Sequence, residues 1–162
     1  MFVSEGTIRL DPRGQGDLGE RSAMLWLGER GCGVFFPAFH SPDFDLVAEW
    51  GTGLQRVQVK TSTVFRKERW DVMVCTRGGN QSWSGVIKHL DPSLYDWLFV
   101  LVGDGRRWFL PSAEVEGTSS IRLGGPKYEA REIEPGQPLP AWSDRYTDRP
   151  RRGTQAVNEG GL

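Results

Sequence analysis

The chain has 162 residues and a mass of 18.2 kDa, the size of one ordinary domain and too small for a second enzyme domain beside it. Hydrophobic residues make up 38%, and seven Trp, eight Phe and three Tyr supply the large side chains a core needs. Twenty Lys and Arg against 21 Asp and Glu give a formal charge of −1, which excludes a global basic field and confines any nucleic-acid surface to local clusters.

In chain order, residues 1–15 read as an N-terminal segment. Asp17 to Arg30 carries the first long helix, with Asp17 as its N-cap and Gly31 as its stop. A short strand follows over Cys32 to Phe36. Phe44–Glu49 and Leu54–Thr61 read as strands, the second with period-two alternation. Trp50-Gly-Thr-Gly53 between them suits a hairpin turn, so the two should pair antiparallel. Further strands are expected at Trp70–Thr76, Trp97–Val102 and Arg106–Leu110, the last two joined by Gly103-Asp-Gly105, with a short helix after Leu110. From Glu134 the chain turns rich in Pro, Gly and Arg, and 134–162 is expected to be a loosely held tail. One helix followed by mostly antiparallel strands predicts an α+β or mixed α/β single-sheet domain and disfavours a doubly wound fold.

Two cysteines, Cys32 and Cys75, and two histidines, His40 and His89, give no zinc-type spacing, so reduced structural thiols are expected and His89 reads as a surface or packing residue. No apolar run of spanning length occurs and no apolar stretch follows a basic start, so the expectation is a cytoplasmic protein with no membrane contact. Gly14-Gln-Gly-Asp-Leu-Gly19 satisfies G-x-G-x-x-G but lacks the preceding strand and the acidic residue that would hold a ribose, and Lys60-Thr-Ser62 lacks a phosphate-loop glycine; these glycines read as a turn.

Glu20 shares a helix face with Ala23, Met24 and Leu27, pointing it toward the sheet; the competing role is a capping box with Asp17. Gln58 and Lys60, two apart on one strand, project from one face while Val57 and Val59 pack on the other. Asp45 starts the partner strand, and pairing through the Trp50–Gly53 turn brings it toward Gln58. A carboxylate, an amide oxygen, the Val59 carbonyl and a lysine then converge.

The ordered set Glu20, Asp45 in Ser41-Pro-Asp-Phe-Asp-Leu-Val47, and Gln58-Val-Lys60 resembles the PD-(D/E)XK nuclease superfamily. The resemblance is to the branch with Q-x-K in place of E-x-K, which includes a group I intron homing endonuclease and short prokaryotic proteins. Gly19-Glu-Arg-Ser-Ala23, Asp45-Leu-Val47, Val57-Gln-Val-Lys-Thr61, Asp96-Trp-Leu-Phe-Val100 and Trp108-Phe-Leu-Pro111 carry it, over about Gly16 to Ile133. It implies a restriction-endonuclease-like core over 16–133, a mixed, mostly antiparallel sheet flanked by helices. It further implies a Mg²⁺-dependent DNA endonuclease, with Mn²⁺ as a substitute ion. The catalytic set is Glu20, Asp45, Gln58 and Lys60; the metal is held by Asp45, Gln58 and the Val59 carbonyl, with Glu20 engaged through water. Asp43 is the alternative to Asp45, which is preferred because it leads directly into the apolar pair Leu46-Val47.

Arg66, Lys67 and Arg69, Arg106 and Arg107, and Arg145, Arg149, Arg151 and Arg152 form the basic clusters available to phosphate, with Trp70 and Trp83 as candidate stacking or wedging residues. One centre per chain and two strands to cut point to a symmetric dimer or tetramer. The competing class is a catalytically inactive nucleic-acid-binding or assembly protein on the same fold, which the neutral Gln58 keeps open.

Overall fold

Asp11 and Pro12, rather than Asp17, open the first element. In the computed structural model, which describes residues 11–41, 43–51, 53–77 and 87–133, α1 runs Pro12–Glu29. Asp11 accepts from the Gly14 N–H at 2.7 Å and Pro12 takes the first helical position, where its missing N–H has no consequence. The glycines at 14, 16 and 19 therefore lie inside the helix, and the capping box expected of Asp17 and Glu20 does not form. Four glycines in one helix weaken it by up to about 4 kcal/mol relative to alanine, so tertiary burial must hold it. Ala23, Trp26 and Leu27 provide that burial, at about 1.5–3 kcal/mol for each large side chain. The helix ends at Gly31, whose φ of 78° allows its N–H to reach Gly28 O while the Cys32 N–H reaches Leu27 O.

The strands are β1 (Gly33–Phe35), β2 (Leu46–Trp50), β3 (Gly53–Ser62), β4 (Phe65–Arg66), β5 (Arg69–Met73), β6 (Cys75–Arg77), β7 (Ile87–His89), β8 (Trp97–Val102), β9 (Arg107–Pro111) and β10 (Ser120–Leu123). A five-stranded sheet has the order β1-β2-β3-β8-β9, with β3 and β8 parallel and every other pair antiparallel. This is the mixed, mostly antiparallel sheet the sequence predicts. Asp96 clamps its one parallel junction: its carboxylate takes the Arg56 backbone N–H at 2.7 Å and both arms of the Arg56 guanidinium, while its own N–H donates to Arg56 O.

The two faces of the sheet are covered differently. Val57 and Val59 of β3 pack with Leu46, Phe99, Phe109 and the α1 residues Trp26 and Leu27. On the opposite face Leu98, Val100, Val102, Trp108 and Leu110 pack with Trp70, Val72, Ile121 and Leu123, which belong to a small antiparallel sheet of order β10-β5-β4. Among the described residues α1 is the sole α-helix; it covers one face of the sheet, and the second sheet covers the other. The expected strand Trp70–Thr76 divides at Val74, whose N–H goes to Ser119 O, so β5 joins β10 and β6 joins β7. No helix among the described residues is long and apolar enough to cross a membrane.

Candidate active site

Asp45 enters the sheet one residue ahead of β2. Its N–H donates to Val57 O at 2.9 Å, which extends the β2–β3 register past the Leu46–Val57 pair and sets Asp45 against Gln58. Since Leu46, Val57 and Val59 face α1, alternation turns Asp45, Gln58 and Lys60 to the other side. There Asp45 Oδ2 accepts the Val59 backbone N–H at 2.6 Å and the Gln58 amide N–H. Gln58 Nε2 also lies 3.3 Å from Val59 O. The carboxylate, the amide and the main-chain carbonyl thus converge, as the hairpin register predicts. Asp43 sits two residues back, where its N–H meets Ser41 Oγ at 3.4 Å.

Burial dominates the electrostatics. It pushes the Asp45 carboxyl above the ordinary aspartate range, opposed by the Val59 N–H and the charges of Lys60 and His40. It also raises Glu20, reinforced by the negative charges of Asp45 and Asp17 and opposed by His40. Burial lowers the Lys60 ammonium, with Asp45 and Cys75 pulling it back up. Two carboxyls raised and one ammonium lowered by the same burial, in one cluster, mark a candidate functional site. Lys60 makes no hydrogen bond or ion pair among the described residues, so the simple salt bridge to Asp45 is absent. Met24, expected on the apolar stripe with Glu20, is instead 40% exposed.

Gln58 decides whether a metal fits. The residue is 5% exposed and its Oε1 is buried with no hydrogen-bond partner among the described residues, a state that ordinarily costs about 1–3 kcal/mol. Among the described residues no group of three His, Cys, Asp or Glu side chains is placed to hold a metal, so carboxylates alone do not complete a site here. As placed, the Gln58 amide nitrogen faces Asp45 and Val59 O; with the amide turned over, Asp45, Gln58 Oε1 and the Val59 carbonyl, with Glu20 close by, would offer oxygen donors of the kind a hard divalent cation takes.

Other candidates are sorted by the fold. Trp70 is a core residue at 9% exposure, its ring tilted against Phe65 at 4.9 Å, and so is not free to wedge into DNA. Arg106 and Arg107 do not act as one cluster: Arg106 pairs with Asp104 and Glu132, while Arg107, opposite Leu101, lies on the α1 side of the sheet. Arg66 and Lys67 are exposed on the β4–β5 hairpin and Arg69 is half-buried. His89 is a surface residue facing Thr118 O, and both cysteines are free thiols, Cys75 buried. Trp83, Arg145, Arg149, Arg151 and Arg152 lie outside the described residues. His40 and Cys75, which the fold brings near the carboxylates and Lys60, carried no signal in the sequence; each reaches the site through tertiary structure alone.

A family model described as PD-(D/E)XK endonuclease matches residues 10–133. Among solved structures, the chain is similar to a bacterial homing endonuclease, I-Ssp6803I, with a TM-score of 0.63 at 21% identity, over 78% of this chain and 86% of that one; at that identity the likeness is one of fold. No curated protein matches.

Proposed function

Because the chain belongs to the PD-(D/E)XK endonuclease family, we propose that it is a metal-dependent DNA endonuclease whose centre is Asp45, Gln58, Val59 O, Glu20 and Lys60. The observation that carries this reading is a buried Gln58 whose amide N–H meets Asp45 and whose Oε1 has no hydrogen-bond partner among the described residues, on the same strand and face as a Lys60 that makes no ion pair among them. A Mg²⁺ or Mn²⁺ ion held there would supply Lewis-acid polarisation of a phosphate oxygen and acidify a water. The chain's own residues do the rest. Asp45, fixed by the Val59 N–H, sets the position of the donor set along β3. Glu20, held half-buried midway along α1, accepts a proton or orients water from the helix side. Lys60, its charge weakened by burial, orients the attacking water or balances negative charge as the phosphorane forms.

DNA is the proposed partner, bound through local basic clusters that include Arg66, Lys67 and Arg69, with Arg107 and the tail arginines 149, 151 and 152 as further candidates. Double-strand cutting by one centre per chain requires two copies, a dimer or tetramer. The test is nicking of supercoiled plasmid with Mg²⁺ or Mn²⁺, wild type against Lys60→Ala. Metal-dependent nicking lost in the variant supports the assignment. DNA binding without cutting at any metal concentration would instead favour a nucleic-acid-binding protein on this fold, the reading that the neutral Gln58 otherwise leaves standing.

A further inference from the structure

Four arginines of the described fold are committed to acids: Arg56 to Asp96, Arg106 to Asp104, Arg122 to Asp71 and Arg131 to Glu114. The β4–β5 hairpin is different. Its two-residue loop, Lys67-Glu68, has φ of 47° and 58°, the left-handed region at both central positions. Such a turn is normally made by Asn-Gly or Asp-Gly, and a non-glycine residue held there is strained by about 1 kcal/mol or more. Beside the loop, Arg66 pairs directly across from Arg69, and like charges in register weaken a ribbon. Arg122 adds a third guanidinium on the same outer face, donating to Arg66 O. Arg66 and Lys67 side chains make no hydrogen bond or ion pair among the described residues. Two independent local penalties, one of backbone and one of charge, are therefore concentrated at one tip, and a bound polyanion relieves the second.

The tip is also tied to the catalytic strand. Ser62, the last residue of β3, donates through Oγ to Asp71 O and accepts from the Val64 N–H, and Asp71 N–H returns to Val64 O. The hairpin is thus a rigid continuation of the strand that carries Gln58 and Lys60. Seven residues separate Lys60 from Lys67, a reach of at most about 23 Å at strand rise, or about seven base-pair steps. A two-stranded ribbon has the width that a DNA major groove admits.

We propose that the β4–β5 hairpin is a DNA-docking arm, which seats Arg66 and Lys67 on duplex phosphates within about seven base pairs of the bond at Lys60 and so sets the register of cutting. This rests on the nuclease reading above. The test is the variant Lys67→Asn with Glu68→Gly, which installs the residues this turn prefers and leaves net charge unchanged. Binding to a random-sequence duplex in Ca²⁺ is measured against salt, beside thermal melts. The arm predicts an unchanged or raised melting temperature, binding weakened on the order of tenfold, and a salt slope shallower by about one. Arg66→Gln, which removes the like-charge pair and leaves the turn intact, should behave the same way. Unaltered affinity and salt slope in both variants would overturn the arm while leaving the nuclease reading untouched. Wild type that binds no duplex at all would overturn both.

Discussion

A Cβ placed on Gly19 would lie 2.1 Å from Thr61 Oγ1 and 3.1 Å from Val59 Cγ1. The last glycine of the G-x-G-x-x-G string is therefore neither a turn nor a phosphate contact: it lets α1 lie directly against β3 one residue before Glu20. Gly19→Ala should lose more by overpacking, about 1–3 kcal/mol, than it gains in helix propensity, about 1 kcal/mol. It should also move Glu20 and slow cleavage. Thr61 Oγ1 is buried without a partner, so Thr61→Ala should be tolerated alone and should restore much of the loss in the double variant. Denaturant melts of the four proteins check this; additive effects would show that the contact is not what holds the helix in place.

Asp45→Asn is expected to separate stability from function. The amide keeps an oxygen for the Val59 N–H but removes a buried charge, so the metal-free variant should melt at or above wild type while cleavage falls by about 10²–10³ or more. The pH dependence has a definite sign. Because burial raises Asp45 and Glu20 in the folded state, their contribution to stability is full below the unfolded carboxylate pKa, about 4, and is lost as pH rises through the raised folded values. A divalent ion prefers the ionised form, so its stabilising effect should grow over the same rise in pH and vanish in Asp45→Asn. Thermal melts with and without Mg²⁺ across that window make the comparison.

How much of this was legible in the sequence depends on whether a residue's place is set by local or by tertiary contacts. The convergence of Asp45 on Gln58 was legible because a two-residue hairpin fixes register, and a fixed register fixes faces. The start of α1 was missed because three glycines outweighed the Asp11-Pro12 signal, and Gly19 gains its reason only from Thr61, forty-two positions away. That a sheet rather than a helix covers the far face follows from where β10 pairs, which alternation alone does not encode. His40 and Cys75 were not legible as neighbours of the centre because no spacing rule joins His40 to Asp45 five positions on, or Cys75 to Lys60 fifteen positions back.

Tyr95 gives a stability prediction remote from the chemistry. Its hydroxyl is buried without a partner among the described residues, and burial pushes its pKa up to about 12. Its contribution is full below about pH 10 and is lost between about 10 and 12. Cys32, raised to about 11, begins the decline near pH 9. Tyr95→Phe should be within about 1 kcal/mol of wild type at pH 7 and should flatten the upper part of the alkaline loss. Urea titrations at neutral pH and above pH 10 read both effects; a large loss at pH 7 would mean that the hydroxyl is bonded.

The most direct measurement is the metal concentration for half-maximal DNA cleavage in wild type, Gln58→Glu and Gln58→Ala. If Gln58 Oε1 is a ligand, the glutamate variant adds one formal charge to the donor set and should reach half-maximal rate at lower Mg²⁺, or keep its turnover. The alanine variant, which removes the donor, should require far more metal. Cleavage by Gln58→Ala at the wild-type metal concentration would show that Gln58 is only a polar strand residue, and would contradict the proposed centre.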